Sequence, residues 1–132
     1  LGSKMKFLFI VIIVFIISGY VWNLSQGQSS PTDSILPNHA QKLLNNPNYV
    51  FLDVRTVREN EANSIPDTPV IPINELASRI SELEKYKDQN IIVYCQSGSR
   101  SNKGTILLNE NGFNAVNLTG GLHQWNGPVL TQ

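Results

Sequence analysis

The chain of 132 residues contains one cysteine, and the residues that follow it are those best suited to chemistry. Cys95 closes the apolar run Ile91-Ile92-Val93-Tyr94 and precedes Gln96-Ser97-Gly98-Ser99-Arg100-Ser101. The run reads as a buried strand, and the pattern from Arg100 to about Asn111 as a helix. A thiol between a strand end and a helix start meets unpaired N–H groups and a positive dipole end. Such a thiol loses its proton readily, and the thiolate is the nucleophile. The N–H groups of Gln96 to Arg100 can curl into a concave anion nest. Gly98 supplies a backbone angle that side chains resist. Arg100 adds a fixed positive charge, and the Ser97, Ser99 and Ser101 hydroxyls can donate to a bound oxyanion. On composition alone a lone cysteine is more often an inert core residue. Its place before a Gly-Arg loop and a helix reverses that reading.

The flanking chain supplies the elements that must hold this loop. Tyr49 to Leu52 is a continuous apolar run, the pattern of a strand covered on both faces. It ends in Asp53-Val54-Arg55, which puts Asp53 and Arg55 at the border of the pocket. Ile35-Leu36 reads as an edge strand. Asn38 is a candidate cap for a helix that turns Ala40, Leu43 and Leu44 inward. Thr56 to Asn63 reads as a turn or two of weak helix. Val70-Ile71 is a short strand candidate. Asn74 can cap a helix carrying Leu76, Ile80 and Leu83, and residues 85–90 read as a loop. Ile106, Leu107 and Leu108 are available to cover the sheet. Gly112 suits the position after a helix C-cap, with Phe113 packing back on Leu108. Ala115 to Leu118 is the last strand. Gly120-Gly121 and Trp125 read as turn and core residues around a short final helix. Strands alternate with helices, so the expected fold is α/β, a small and mostly parallel sheet with helices on both faces. Ligands in such sheets bind beyond the carboxyl ends of the strands, where Cys95 lies.

Composition narrows the function. Ten basic and ten acidic residues cancel, so no bulk field draws the chain to phosphates. No basic cluster with interleaved aromatics points to nucleic acid. One thiol excludes an intramolecular disulfide and a multi-thiolate metal site. His39 and His123 lack ligand spacing and read as solvated surface residues; no metal and no cofactor is expected.

The N-terminal segment is of a different character. Residues 1–4 read as an expression scar, with Met5 as the natural start. Lys4 and Lys6 precede an unbroken apolar run, Phe7 to Ile17, which Ser18-Gly19 interrupts before Tyr20-Val21-Trp22. Residues 7–24 just reach the length of a membrane span, whereas Phe7 to Ile17 alone suits a signal-peptide core. Tyr20 and Trp22 suit interfacial anchors, and Ser25-Gln26-Gly27 suits a cleavage site. Residues 5–24 are thus a signal anchor or a signal peptide, residues 25–33 a flexible tether, and residues 34–132 one domain. Under either reading the lysines stay in the cytoplasm. The domain is then expected on the periplasmic side, at the cytoplasmic membrane if the segment is retained and soluble if it is cleaved.

Cys95-x-x-Gly98-x-Arg100 resembles the active-site loop of the rhodanese-like family. Ser101, Leu108, Gly112-Phe113, Val116, Leu118, Gly120-Gly121 and Trp125 stand where that family's tail has them, and Phe51 to Arg55 resembles its first core strand. The resemblance covers roughly residues 33–127. It implies a single-domain sulfurtransferase of the thiosulfate type. Cys95 would carry the sulfur as a persulfide, Gln96, Ser97, Gly98, Ser99 and Arg100 would bind substrate, and Asp53, Arg55 and Ser101 would support them. The implied partners are a small sulfur-containing anion and a protein sulfur acceptor, with the chain a monomer. The rivals are a persulfide carrier without turnover and a protein-binding module. Related phosphatases and arsenate reductases have a longer loop than the four residues between Cys95 and Arg100. Two departures stand out. Ser64-Ile65-Pro66-Asp67-Thr68 replaces the family's usual His-Ile-Pro-Gly-Ala, which bears on the pocket rim, and the loop has a single basic residue, which suits a thiosulfate dianion poorly.

Overall fold

A computed structural model describes residues 2–25 and 33–132. The chain divides into two units, Leu1–Pro31 and Thr32–Gln132. Residues 26–32, the bulk of the expected tether, and with them the Gln26-Gly27 part of the cleavage motif, lie outside the described residues.

The first unit is one helix, α1 (Ser3–Ser25), whose 23 residues span about 35 Å at 1.5 Å per residue. Its stretch Ser3–Val21 has a mean hydropathy of 2.2, long and apolar enough to cross a membrane. Ser18-Gly19 does not break it. The Ser18 hydroxyl donates to the Phe15 carbonyl one turn back at 3.0 Å, so the serine satisfies itself within the helix.

The second unit is built on a four-stranded parallel sheet ordered β1-β5-β4-β2. These strands are β1 (Ser34–Ile35), β2 (Tyr49–Asp53), β4 (Asn90–Tyr94) and β5 (Asn114–Leu118). The register sets Asp53 opposite Tyr94, so β2 and β4 end together and Cys95 leaves the sheet next to Val54. Strand β4 is fully buried from Ile91 onward. Alternation divides its side chains: Ile91, Val93 and Cys95 enter one core with Leu76, Leu83 and Leu108, while Ile92 and Tyr94 enter the other with Phe51, Leu118 and Trp125. Each large apolar side chain buried this way contributes about 1.5–3 kcal/mol.

Helices α2 (Pro37–Gln41), α3 (Val57–Ala62), α4 (Ile73–Arg79) and α5 (Ser99–Glu110) connect the strands. Several local expectations shift. Asn38 and Asn74 lie inside their helices; the N-caps are Leu36 and Pro72. Before α2, Pro37 with its fixed φ starts the helix in place of a side-chain cap. Helix α4 runs on as a 3₁₀ segment, Ile80–Tyr86, which shortens the expected loop. Val70 forms only an isolated bridge to Asp53. The buried face of α5 is Ser101, Gly104, Thr105 and Leu108; Ile106 and Leu107 are only half-buried. Gly104 lies on that face, where a Cβ would make ordinary contact, at 3.4 Å, with Ile73 and Leu76 of α4 and Val93 of β4. The stop of α5 follows the expected pattern. Gly112 has φ 79°, and the N–H groups of Phe113 and Gly112 donate to the carbonyls of Leu108 and Asn109.

A second small sheet pairs β3 (Asn63–Ser64) with β6 (Leu130–Thr131), antiparallel. Both strands are two residues long, too short to show a period in the sequence. Asp67 stands where the resemblance placed a glycine and takes the left-handed conformation itself, φ 58°, which Asp tolerates better than most residues.

Candidate active site

The Cys95 thiol is 1% exposed and lies beneath the first turn of α5. Its Sγ accepts the Gly98 N–H at 3.1 Å and the Ser101 N–H at 3.4 Å, and lies 3.3 Å from the Ser101 hydroxyl. Burial pushes the thiol pKa up. The Ser101 hydroxyl and the N–H groups of Ser101, Gly98 and Ser97 more than offset this, and the thiol titrates below its ordinary value. The loop is thus an anion nest around sulfur at a helix N-terminus.

Two glycines make the nest possible. Gly98 caps α5 with φ 102°, a conformation only glycine adopts at little cost. Gly121 lies behind the loop, where a Cβ would come within 2.4 Å of the Cys95 carbonyl oxygen. Its turn delivers the Leu122 and His123 N–H groups to the Cys95 and Gln96 carbonyls, both at 2.9 Å. The loop is therefore gripped from behind by backbone, while Gln96, Ser97 and Ser99 face solvent.

Asp53 and Arg55 are buried, at 0% and 1% exposure. The Arg55 Nη2 donates to Asp53 Oδ2 at 2.8 Å, and its Nε lies 3.1 and 3.2 Å from the two carboxylate oxygens. Arg55 also donates to the side-chain and backbone oxygens of Asn63, and Asn60 donates to Asp53. Neither residue bonds to the loop. They tie the end of β2 to α3 and β3, a bracing geometry.

Helix α3 presents a residue that the sequence reading missed. Glu59 grips Arg100 at both ends of the carboxylate, Nη1 to Oε2 at 2.8 Å and Nη2 to Oε1 at 2.9 Å. Glu59 also closes a capping box with Thr56: the Thr56 hydroxyl accepts the Glu59 N–H, and the Glu59 carboxylate accepts the Thr56 N–H. The Arg100 guanidinium holds the Glu59 carboxyl at about 2 against the opposing effect of burial, with help from Thr56. The T-x-x-E spacing is legible in sequence as a helix start. Its Arg100 partner, 41 positions on, is not.

A family comparison matches the Rhodanese-like domain over residues 36–128. The chain belongs to this family. A sulfurtransferase from Allochromatium vinosum is 33% identical over 87 residues, covering 65% of this chain and 79% of that protein. A putative sulfur carrier protein, YrkF of Bacillus subtilis, is 32% identical over 104 residues, covering 78% of this chain and 55% of that one. Among solved structures, a rhodanese-related protein from Thermoplasma volcanium superposes with a TM-score of 0.69 at 31% identity, covering 76% of this chain and 99% of that one. The matched span holds the whole rhodanese-like loop with Asp53, Arg55 and Glu59, and excludes α1.

The rim departure also has a structural account. Ser64 lies in β3, and the Ile65 N–H donates to the Tyr94 hydroxyl at 3.3 Å. Thr68 bonds the same hydroxyl at 2.9 Å. Tyr94, one residue before the thiol, thus pins the rim from below. His39 and His123 are exposed, as expected of surface residues.

Proposed function

We propose that the protein is a sulfurtransferase in which Cys95 accepts a sulfane sulfur from a donor such as thiosulfate or polysulfide and passes it to a thiophilic acceptor. The observation that carries this reading is the Sγ of Cys95 held by two backbone N–H groups and a hydroxyl. The thiolate attacks the outer sulfur of the donor. A new S–S bond forms, the donor's own S–S bond breaks, and its electron pair leaves on the inner sulfur. The nest then stabilises the terminal sulfur of the persulfide as it stabilised the thiolate. Attack by the acceptor on that outer sulfur returns the pair to Cys95. Gln96, Ser97, Gly98, Ser99 and Arg100 border the incoming donor, while Asp53, Arg55 and Ser101 support the loop.

The same chemistry without turnover would make a sulfur carrier, as one relative is named. Helix α1 has the length and composition of a membrane anchor or signal sequence. Lys6 at its start favours placement of the domain, residues 34–132, on the extracytoplasmic side.

The test is exposure of the detergent-solubilised chain to inorganic polysulfide, then to cyanide, with Cys95→Ser in parallel. The expected result is a mass gain of one sulfur atom in the wild type alone, followed by thiocyanate. A gain without thiocyanate, released only by a protein thiol, would favour the carrier. No gain would remove both.

A further inference from the structure

The loop is held by its carbonyls as well as by its N–H groups. The Leu122 and His123 N–H groups take the carbonyls of Cys95 and Gln96. The Gly98 carbonyl accepts the Asn102 N–H at 3.0 Å, and the Asn117 side-chain Nδ2 donates to it at 3.3 Å. Asn117 lies in β5, opposite Val93 of β4 and Ser34 of β1, and reaches the loop across 19 positions. Gly98 is the residue whose N–H donates to the Cys95 sulfur. Glycine has the freest backbone of any residue, so that N–H stays on the sulfur only where Gly98 is held from outside.

The same amide carries a liability. Its Oδ1 is buried and has no hydrogen-bond partner, alone among the buried side-chain polar atoms of the described residues. Turning the amide over would bring its oxygen against the Gly98 carbonyl oxygen, two acceptors face to face. A leucine has the same branched outline and no acceptor to leave unpaired. An orphaned acceptor costs stability, whereas an apolar group of the same shape does not. Packing alone therefore gives no reason for an asparagine at this position, and the bond to Gly98 does.

We propose that Asn117 is a positioning residue for Cys95: by holding the Gly98 carbonyl it keeps the Gly98 N–H on the sulfur, at a cost to the stability of the fold. The proposal deepens the sulfurtransferase reading and rests on it for the reaction. Asn117 makes no hydrogen bond to the sulfur and acts through Gly98.

The experiment compares the full chain in detergent with Asn117→Leu and with Asn117→Ala, the smaller replacement in case leucine crowds the strand. It reads the urea midpoint, the pH profile of alkylation by iodoacetamide at Cys95, the chain's single thiol, and the mass gain from inorganic polysulfide at neutral pH. Asn117→Leu should unfold at a urea concentration no lower than the wild type. Its alkylation midpoint should move to higher pH, and its sulfur loading should slow about fivefold, the worth of one ordinary hydrogen bond. Asn117→Ala should move alkylation and loading in the same directions. A residue that merely packs would give the reverse, a lower urea midpoint with the wild-type alkylation profile. An alkylation profile unmoved in a folded variant overturns the positioning role, and a lower urea midpoint in Asn117→Leu overturns the claim that the amide is kept at a cost. Failure of the wild type to gain sulfur overturns the sulfurtransferase reading beneath it, and the alkylation profiles still decide the role of Asn117.

Discussion

Two arginine–carboxylate pairs lie within this site, and depth separates their roles. Arg55 and Asp53 are 1% and 0% exposed, and every polar contact they make is to neighbouring elements of the frame. Arg100 and Glu59 are 36% and 35% exposed and join the Cys95 loop to α3. A buried pair that loses one member strands a charge, so it is rigid architecture. A half-exposed pair can exchange its partner for water or substrate at modest cost, so it can tune a site. The two are linked in series. Asn60 and Asn63, held by the buried pair, fix α3 and thereby the position of Glu59.

The largest way to break the comparison is Arg55→Leu, which leaves Asp53 buried and unpaired. Urea unfolding should show a loss of about 3–5 kcal/mol, and an effect as small as that of a surface pair would erase the distinction by depth. Gly121→Ala forces an L residue to φ 57° with its Cβ against the loop backbone. It should cost about 1–2 kcal/mol from the left-handed angle alone, together with slower alkylation of Cys95 by iodoacetamide. Ser101→Ala removes the hydroxyl from the thiolate while leaving both ion pairs intact. The midpoint of the alkylation rate against pH should rise, because the hydroxyl is one of the groups that hold the thiol below its ordinary value, with little change in unfolding.

Smaller effects sharpen the other side. Glu59→Gln should lower stability at neutral pH by no more than about 1 kcal/mol. The sign with pH follows from its depressed pKa: the carboxylate stabilises the fold above its ordinary value of 4.5, and this is lost as pH falls toward about 2. Wild type and Glu59→Gln should therefore converge over that window in acid unfolding. The third pair type, Arg79 with Glu75 and Glu82, lies on the surface. Arg79→Ala should leave the urea midpoint essentially unmoved, the floor of the series.

The site was legible where its parts are neighbours in sequence. Cys95, Gly98, Arg100 and Ser101 lie in seven consecutive residues, and the strand before and helix after them follow from apolar runs and periodicity. The parallel sheet with covered faces followed from the alternation of elements, and the stop at Gly112 from glycine's tolerance of positive φ. Short elements were not legible: β3 and β6 have two residues each, and the helices expected to be capped by Asn38 and Asn74 start earlier, after N-caps Leu36 and Pro72. The buried face of α5 was misread because Ser101, Gly104 and Thr105 are polar or small; the Ser101 hydroxyl lies 3.3 Å from the Cys95 sulfur and the Thr105 hydroxyl donates to the Ser101 carbonyl, so they are buried with partners and carry no apolar signal.

The sequence by itself determined the candidate nucleophile, the nest around its sulfur, the α/β frame and the apolar N-terminal helix, because each rests on local order: spacing, periodicity and backbone angle. Only the tertiary structure decided which charge faces Arg100, that Asp53 and Arg55 close on each other, and that Gly121 backs the loop. Asp53 and Arg55 are only two positions apart, but their pairing is held by Asn63, eight positions on; Arg100 meets Glu59 across 41 positions, and Gly121 sets one backbone turn against another. Coulomb attraction and close packing act through space, and no pattern along the chain records which partners they select.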